Sequence, residues 1–448
     1  MALRDRLKTT NSGPVPRYGE ASAAPKPNGY HEIKARLHGM LIDRMDLAQL
    51  NVLTPQETHV QVAHIANALL TEEDLLLSQT DRERLVEELR HELFGLGPLE
   101  PLLADPTISD ILVNSPHQVY VERGGKLERT NVTFNDNEHV IRVIERIVTS
   151  VGRRIDEGSP MVDARLPDGS RVNAVIPPVM LDGATLSIRR FGAQPLRIND
   201  LIRKGALPLE IAQLLEMCVK ARLNIVVSGG TGAGKTTLLN SLSAFIPSSE
   251  RIVTIEDSAE LLMQQQHVLR METRPPNVEG RGEITQRDLV KNALRMRPDR
   301  IVVGEVRSGE AVDMLQAMNT GHDGSLTTIH ANTPPDALTR LETMVQMAGM
   351  RMSDGAIRQQ IVAAIDLIVQ VARFSDGTRR VTSLTEVQGL KRKQFQTLEI
   401  FRYERQGIDE QERVVGRFRF GGVRPHFAER LAAGGLFLPP GFFDEPTL

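Results

Sequence analysis

A glycine-rich segment followed by a lysine and two threonines carries the clearest chemistry in this sequence. Residues 229–237 read Gly-Gly-Thr-Gly-Ala-Gly-Lys-Thr-Thr and contain the pattern GxxxxGK[ST], in which glycines let successive backbone N–H groups converge on a phosphate. The apolar run Asn224–Ser228 precedes it, and Leu238, Leu239 and Leu242 follow at helical spacing. The predicted order of strand, loop and helix is the one that a phosphate-binding loop requires, and it disfavours an ordinary glycine-rich turn. The residues expected to contact a nucleotide are Gly230, Thr231, Gly232, Ala233, Gly234, Lys235, Thr236 and Thr237.

Two acidic residues that follow apolar runs are candidates for the chemistry of hydrolysis. Arg300–Gly304 is a predicted strand that delivers Glu305, and Arg251–Ile255 is a second one that delivers Glu256. Because ligands of open α/β sheets bind at the carboxyl ends of the strands, both carboxylates are expected at one edge. There Glu305 can hold Mg²⁺ through water or orient the attacking water, and the hydroxyl of Thr236 can ligate Mg²⁺. For each acid, a capping or solvated loop carboxylate remains the alternative.

A histidine follows a third predicted strand. Ser325–Ile329 is apolar and β-branched, and it ends at His330, which places a hydrogen-bonding side chain at the same sheet edge. His330 could sense the γ-phosphate of a nucleotide. A structural histidine is the alternative, and composition does not choose between the two.

The elements that must position these groups predict an α/β fold with a preceding helical part. The length of 448 residues corresponds to about three domains. The first residues are rich in Pro, Gly, Ala and Ser, which predicts disorder, and Thr54-Pro55 and Thr71-Glu72 resemble helix starts. We predict a disordered tail at 1–29, a three-helix module at 30–100, a mixed α/β domain at 101–191, a linker at 192–207, and a P-loop domain with a C-terminal extension at 208–448.

Composition and charge exclude several classes of protein. Lys and Arg number 54 against 57 Asp and Glu, and aromatic residues are 4% of the chain, which disfavours a dedicated nucleic-acid binder. One cysteine, Cys218, excludes an intrachain disulfide and a zinc site of several thiolates. No apolar run approaches the ~20 residues that span a bilayer. Residues 391–430 carry ten basic and six acidic side chains, so this segment could face anionic lipid or an acidic partner, or be a solvated surface.

Four ordered motifs resemble those of one superfamily. The phosphate loop, Thr254–Asp257, Val303–Arg307 and Gly321–His330 are similar to the Walker A, Asp box, atypical Walker B and His box of the ATPases of type II and type IV secretion and type IV pili. Segments 108–114, 163–173 and 187–191 resemble the N-terminal domain of that superfamily. Within it, the chain looks most like the CpaF-type ATPases of Tad/Flp pili, over about residues 30–445. It departs from many relatives because it has no four-cysteine zinc motif.

The resemblance implies a RecA-like ATP hydrolase that uses ATP and Mg²⁺. It implies a homohexamer in the cytoplasm, peripheral to the bacterial inner membrane, which works on an inner-membrane platform protein and does not need nucleic acid. Lys235 and Thr236 would bind phosphate and Mg²⁺, Glu305 would be the catalytic carboxylate, Glu256 would assist at the metal or water, and His330 would match the sensor. The arginines that could close over the phosphates are Arg165, Arg171, Arg189 and Arg190, although ion-pair roles remain open for each.

Three other functions are alternatives to this prediction. A RecA-like nucleic-acid translocase shares the core chemistry, but the near-neutral charge and scarce aromatics disfavour it. A GTP switch protein is disfavoured because no NKxD or DxxG segment is present. A non-catalytic, nucleotide-gated scaffold is the third alternative.

Overall fold

The computed structural model describes residues 30–44, 55–73, 77–190, 196–276 and 280–443. The predicted disordered tail at 1–29 therefore lies outside the described residues. The chain divides into two compact units. The first comprises Met1–Val121 and Arg129–Arg189, and the second comprises Glu122–Glu128 and Arg190–Leu448.

The first unit begins with three helices that share a small apolar core. They are α1 (Tyr30–Arg44), α2 (Pro55–Glu72) and α3 (Gln79–Phe94). Leucines at helical spacing on each helix are fully buried against the other two, because burying an amphipathic stripe provides most of the stability of a helix. The buried leucines are Leu37, Leu41, Leu69, Leu70, Leu85 and Leu89.

The prediction of a helix start at Thr71 is wrong. Thr71 lies inside the last turn of α2, where its hydroxyl donates to the carbonyl of Asn67 at 2.9 Å. The next helix is instead capped by Ser78, whose side chain accepts from the backbone N–H of Asp81. A threonine that finds its partner one turn earlier is satisfied within the helix and does not need to cap.

A six-stranded sheet covered by a helix makes up the rest of the first unit, except for its residues 122–128, which are counted with the second unit. Its strands lie in the order β3-β2-β1-β6-β5-β4, and buried and exposed residues alternate along β5 and β6, as expected for a sheet with one covered face. Helix α5 is capped by Asp136 and buries Val140, Ile144 and Ile147. The bounds are α4 Glu100–Ala104, β1 Ile108–Ser115, β2 Gln118–Arg123, β3 Lys126–Arg129, α5 Asn137–Ser150, β4 Met161–Arg165, β5 Arg171–Val175 and β6 Thr185–Arg189, with a 3₁₀ turn at Gly97–Leu99.

A nearly buried carboxylate joins the helices to this sheet. Glu92 on α3 receives a hydrogen bond from His139 on α5 at 2.9 Å and an ion pair from Lys34 on α1 at 2.9 Å. Burial alone would raise the pKa of Glu92, but the bond from His139 and the charge of Lys34 outweigh it and lower this pKa to about 2. One side chain thus ties three helices together.

The second unit is built on a nine-stranded sheet, which confirms the predicted α/β fold with a RecA-like P-loop domain. The order is β15-β14-β13-β12-β7-β11-β10-β8-β9. The six strands at one side of the sheet are parallel, namely β12, β7, β11, β10, β8 and β9. Every residue of β7, β8 and β11 is buried, as expected for strands covered on both faces. The bounds are α6 Ile198–Arg203, α7 Leu209–Lys220, β7 Ile225–Gly229, α8 Lys235–Ser243, β8 Ile252–Glu256, β9 Val268–Glu272, α9 Gln286–Ala293, β10 Arg300–Val306, α10 Glu310–Asn319, β11 Leu326–Ile329, α11 Pro334–Met347, α12 Asp354–Ala364, β12 Leu367–Arg373, β13 Arg379–Lys391, β14 Gln394–Ile408, β15 Val414–Phe420 and α13 Phe427–Ala433.

Buried polar side chains fix the starts of the central strands. Asn224, just before β7, accepts from the backbone N–H groups of Gly324 and Ser325, just before β11. Arg300, fully buried at the start of β10, donates to Glu250 and to the carbonyl of Val219. A buried charge is tolerated only with such partners, so these contacts help set the register in which the strands reach the opposite edge.

The basic C-terminal segment forms the antiparallel edge of this sheet. On β14 and β15, Arg402, Arg417 and Arg419 all pair with Glu404, so one carboxylate serves three guanidinium groups and this cluster keeps a net positive charge. No helix in the described segments combines the length and apolarity that crossing a membrane requires.

We predict that Glu92→Gln destabilises the first unit in a pH-dependent way. Since the folded-state pKa of Glu92 lies below the ordinary value of 4.5 for a glutamate side chain, its stabilisation is present above pH ~4.5 and is lost as the pH falls towards ~2. The shift corresponds to roughly 3 kcal/mol at pH 7. Calorimetry of the full chain should therefore show a lower transition temperature for the variant at pH 7 and a shrinking difference at acid pH.

The control for this prediction is Glu87→Gln on the same helix. Glu87 is half exposed and, within the described segments, forms ion pairs with Arg90 and His91 of the same helix, so its replacement should lower the free energy of unfolding by less than ~1 kcal/mol. Equal effects of the two variants at pH 7 would contradict the role of Glu92.

Candidate nucleotide site

The loop between β7 and α8 has the backbone shape that phosphate binding needs. Gly232 and Gly234 have φ values of +67° and +94°, in the left-handed region that favours glycine. Gly234 is the N-cap of α8, and Lys235 is its first residue. The ammonium of Lys235 donates to the carbonyl of Gly230 at 3.1 Å, so the lysine lies across the loop. Backbone N–H groups at this helix start favour an anion.

An arginine from the distant strand β13 supports this loop. The Nε of Arg379 donates to the carbonyl of Gly232 at 2.8 Å, across 147 positions of sequence. Its aliphatic part lies close to Gly234, where a Cβ would be 3.4 Å from the Cδ of Arg379. Sequence reasoning did not find Arg379, because no local pattern connects a strand start to a loop so far upstream.

Glu256 is the last residue of β8, and one oxygen of its buried carboxylate accepts hydrogen bonds. Its exposure is 3%, and its Oε2 accepts from the backbone N–H groups of Glu260 and Leu261 at 2.7 and 3.0 Å. Its Oε1 is buried, and no hydrogen-bond partner for it lies within the described segments. Burial raises the pKa of Glu256, and the two backbone bonds offset only part of that rise. The capping role considered as the alternative is therefore present.

A glycine on the next strand makes room for Glu256. Gly304 on β10 has no Cβ, and an added one would lie 2.8 Å from the Cγ of Glu256, closer than Cβ contacts in proteins come. The carbonyl of Gly304 accepts from the hydroxyl of Thr328 on β11 at 2.7 Å. The ends of β8, β10 and β11 are thus packed against one another.

Glu305 lies at the same edge and is held by an arginine two residues later. Its Oε2 accepts from Nε and Nη2 of Arg307 at 2.9 and 2.5 Å, and Nη1 of Arg307 reaches Asp257 at 3.2 Å. The amide of Gln286 donates to the backbone carbonyl of Glu305 at 3.0 Å. Arg307 therefore links Glu305, near the end of β10, to Asp257, which directly follows β8.

His330 follows β11 beside these groups. Burial and the positive charges of Lys235 and Arg340 lower the pKa of His330, and the charge of Glu305 offsets this only in part, which favours the neutral form of the ring. Neutral imidazole offers one donor and one acceptor. The chain after it is fixed because Gln370 donates to the carbonyls of Ala331 and Asn332.

Three of the predicted arginines form one row in the first unit. Arg165 on β4 is the cross-strand partner of Arg171 on β5, which is in turn the partner of Arg189 on β6. Direct cross-strand partners share a face, and Asp110 on β1 continues the row with an ion pair to Arg189 at 3.4 Å. The row therefore places three positively charged side chains in line, with one carboxylate at its end. Their role towards a nucleotide stays a prediction.

Comparison with known proteins decides the family. Residues 92–420 match the family described as type II/IV secretion system protein. The chain belongs to this family. The predicted likeness to the secretion superfamily is thereby confirmed, whereas the closer likeness to CpaF-type ATPases stays a prediction.

Relatives of this secretion family cover most of the chain. A putative conjugal transfer protein of Mycobacterium tuberculosis is 41% identical over 315 residues, which span 69% of this chain and 89% of that protein. The conjugal transfer protein TrbB of Rhizobium radiobacter is 33% identical over 70% of this chain and 94% of its own length. Among solved structures, the VirB11 ATPase of the Brucella suis type IV secretion system, in complex with sulphate, is 30% identical over 64% of this chain and 95% of that chain, with a TM-score of 0.35.

We predict that Gly304→Ala disturbs Glu256 and lowers ATP turnover. The added methyl group would meet the Cγ of Glu256 at 2.8 Å inside a packed core, where such overpacking costs ~1–3 kcal/mol. We expect a lower melting temperature and at least a tenfold drop in kcat, measured by calorimetry and by phosphate release.

Gly309→Ala is the matched control. An added Cβ there would lie 3.4 Å from the side chain of Ala348, and the residue has a helical φ of −65°. Normal turnover and stability in Gly304→Ala would show that Glu256 does not depend on this contact.

Proposed function

We propose that this chain is a motor that hydrolyses Mg-ATP and uses the energy for secretion or pilus assembly. The observation that supports it most directly is the phosphate loop at one edge of a parallel sheet, with Glu256 and Glu305 at the carboxyl ends of β8 and β10 and His330 directly after the neighbouring β11. The match to the secretion family over 92–420 supports the same conclusion.

The phosphate loop binds the triphosphate in this proposal. The N–H groups of residues 230–237 surround the phosphates, and Lys235 exchanges its bond to the carbonyl of Gly230 for the β- and γ-phosphate oxygens. The supporting bond from Arg379 keeps the loop in shape. Exchange of a neutral acceptor for phosphate is favourable for an ammonium group, because bonds between charged partners are the stronger ones.

The residues present fit a magnesium ion. Mg²⁺ prefers oxygen ligands and uses one or two protein groups beside phosphates and water. The hydroxyl of Thr236 would supply such an oxygen, as would the carboxylate of Glu305 through a water molecule and Oε1 of Glu256, which has no hydrogen-bond partner among the described residues. When bound, Mg²⁺ would neutralise charge on the β- and γ-phosphates.

Glu305 is the residue proposed to orient the attacking water. The oxygen of that water bonds to the γ-phosphorus while the bond from phosphorus to the bridging oxygen breaks, which yields ADP and phosphate, and one proton of the water is released to solvent. His330 donates to or accepts from the γ-phosphate region. Arg165, Arg171 and Arg189 are proposed to provide the positive charge that phosphoryl transfer needs, an effect that reaches roughly 10³–10⁵ in rate for an arginine finger.

The assembly and its partners are inferred from the family. We propose a homohexamer in the cytoplasm, at the bacterial inner membrane, acting on a platform protein of a Tad/Flp-type pilus or of a type II or IV secretion system. Relatives described as conjugal transfer proteins favour this class of machine. The basic strands β14 and β15 are the surface proposed for peripheral contact with the membrane.

We predict that Lys235→Ala abolishes ATP turnover and weakens nucleotide binding, because the loop loses its phosphate contact. Glu305→Gln should still bind ATP but lose hydrolysis at least 100-fold, since an amide cannot orient water as a carboxylate does. Phosphate release and binding of a fluorescent ATP analogue are the two measurements.

The control is Lys220→Ala, which removes an exposed lysine that pairs with Glu216 on the same helix and should leave both measurements unchanged. Turnover at the wild-type level in both site variants would refute the assignment.

We also expect turnover per chain to rise with protein concentration as the ring assembles. Mass photometry in parallel with the ATPase assay should show hexamers over the range in which activity rises. Full activity in a monomeric sample would contradict the proposed assembly.

A further inference from the structure

Arg307 makes three directed contacts with the two acidic strand ends. Its Nε and Nη2 both donate to Oε2 of Glu305, at 2.9 and 2.5 Å, and its Nη1 donates to Oδ2 of Asp257 at 3.2 Å. A guanidinium group is planar and presents its donors in a fixed fork. Contacts at three of its nitrogens therefore fix both where the group lies and how it is turned.

The backbone that carries these side chains is held as well. The carboxylate of Glu310 accepts from the N–H groups of Arg307 and Ser308 at 2.5 and 2.7 Å, at the start of helix α10. Gln286 on α9 holds the carbonyl of Glu305 at 3.0 Å. Two helices thus brace the short segment from which Glu305 and Arg307 project.

The arrangement leaves the two oxygens of Glu305 in different situations. Oε2 accepts both donors from Arg307, whereas no hydrogen bond to Oε1 is present in the described part of the chain. Because a carboxylate is rigid and planar, fixing Oε2 also fixes the direction of Oε1. A group that orients water needs one oxygen held and the other available.

We propose that Arg307 is a positioning residue for hydrolysis, which holds Glu305 by Oε2 so that Oε1 faces the attacking water. Asp257 accepts a hydrogen bond from the third donor of Arg307, which keeps the guanidinium group from rotating away. This inference rests on the proposed function, in which Glu305 acts on water.

The exposed fractions of these three side chains indicate that they matter little for folding. The side chains of Arg307, Glu305 and Asp257 are 57%, 24% and 42% exposed, and ion pairs of this kind contribute little to folding stability. Loss of Arg307 should therefore leave the melting temperature nearly unchanged while it affects the reaction.

The experiment compares Arg307→Ala, Arg307→Lys and wild type in steady-state ATP hydrolysis by the full chain. We expect kcat to fall at least 20-fold in Arg307→Ala, with KM for ATP and the affinity for a fluorescent ATP analogue within twofold of wild type. Arg307→Lys keeps the positive charge but lacks the planar set of donors, so its kcat should fall about three- to fivefold. Arg287→Ala is the matched control, because that guanidinium binds Asp313 at 2.7 Å instead, and it should keep wild-type kcat.

Rescue by free guanidinium ion tests positioning directly, because a purely structural role of Arg307 would not produce it. Millimolar guanidinium chloride should restore part of kcat to Arg307→Ala, by occupying the position of the missing fork. It should not restore Glu305→Gln, and equal concentrations of sodium chloride should restore neither.

The outcomes distinguish this inference from the proposed function. If Glu305→Gln is inactive while Arg307→Ala keeps wild-type kcat, only the positioning role is overturned. If Glu305→Gln is fully active, the proposed role of Glu305 fails and the inference falls with it. A rise of KM with unchanged kcat in Arg307→Ala would overturn positioning in favour of nucleotide binding.

Discussion

Parallel pairing of the central strands is the constraint on which the candidate site depends. In a parallel sheet every strand delivers its carboxyl end to the same edge, so β7, β8, β10 and β11 bring the phosphate loop, Glu256, Glu305 and His330 to that edge. Strand register then decides how far each group projects, and buried side chains at the opposite edge help set it. Asn224 links the starts of β7 and β11.

Charged side chains of both signs in this site are held by polar contacts. Lys235 and Arg379 lie on the loop through bonds to carbonyl oxygens, while Arg307 lies between Glu305 and Asp257. Glu256 is different, since its burial favours the neutral form and its Oε1 has no hydrogen-bond partner in the described part of the chain. A nucleotide with its metal ion would add charges of both signs to a site that already contains cations on the loop and carboxylates at the strand ends.

The fold class and the main site groups could be predicted because their signals are local. The phosphate loop is a contiguous pattern, and Glu305 and Glu256 each follow a recognisable apolar strand. The contacts of Arg379 with Gly232 and of Glu92 with His139 join residues 147 and 47 positions apart, and nothing in a local window connects them. The helix start at Thr71 was wrong for a related reason. A threonine can cap a helix or bond within one, and only the course of the backbone decides which.

The close approach of Gly304 and Glu256 also bears on how this sequence can change over time. Any side chain at position 304 competes for the volume that the methylene groups of Glu256 fill, so a larger residue there is compatible only with a smaller one at 256. A smaller residue at 256 would lose the carboxylate that caps the following loop. The two positions, 48 residues apart, are therefore expected to be inherited as a pair, and single substitutions at either should be rare among functional descendants.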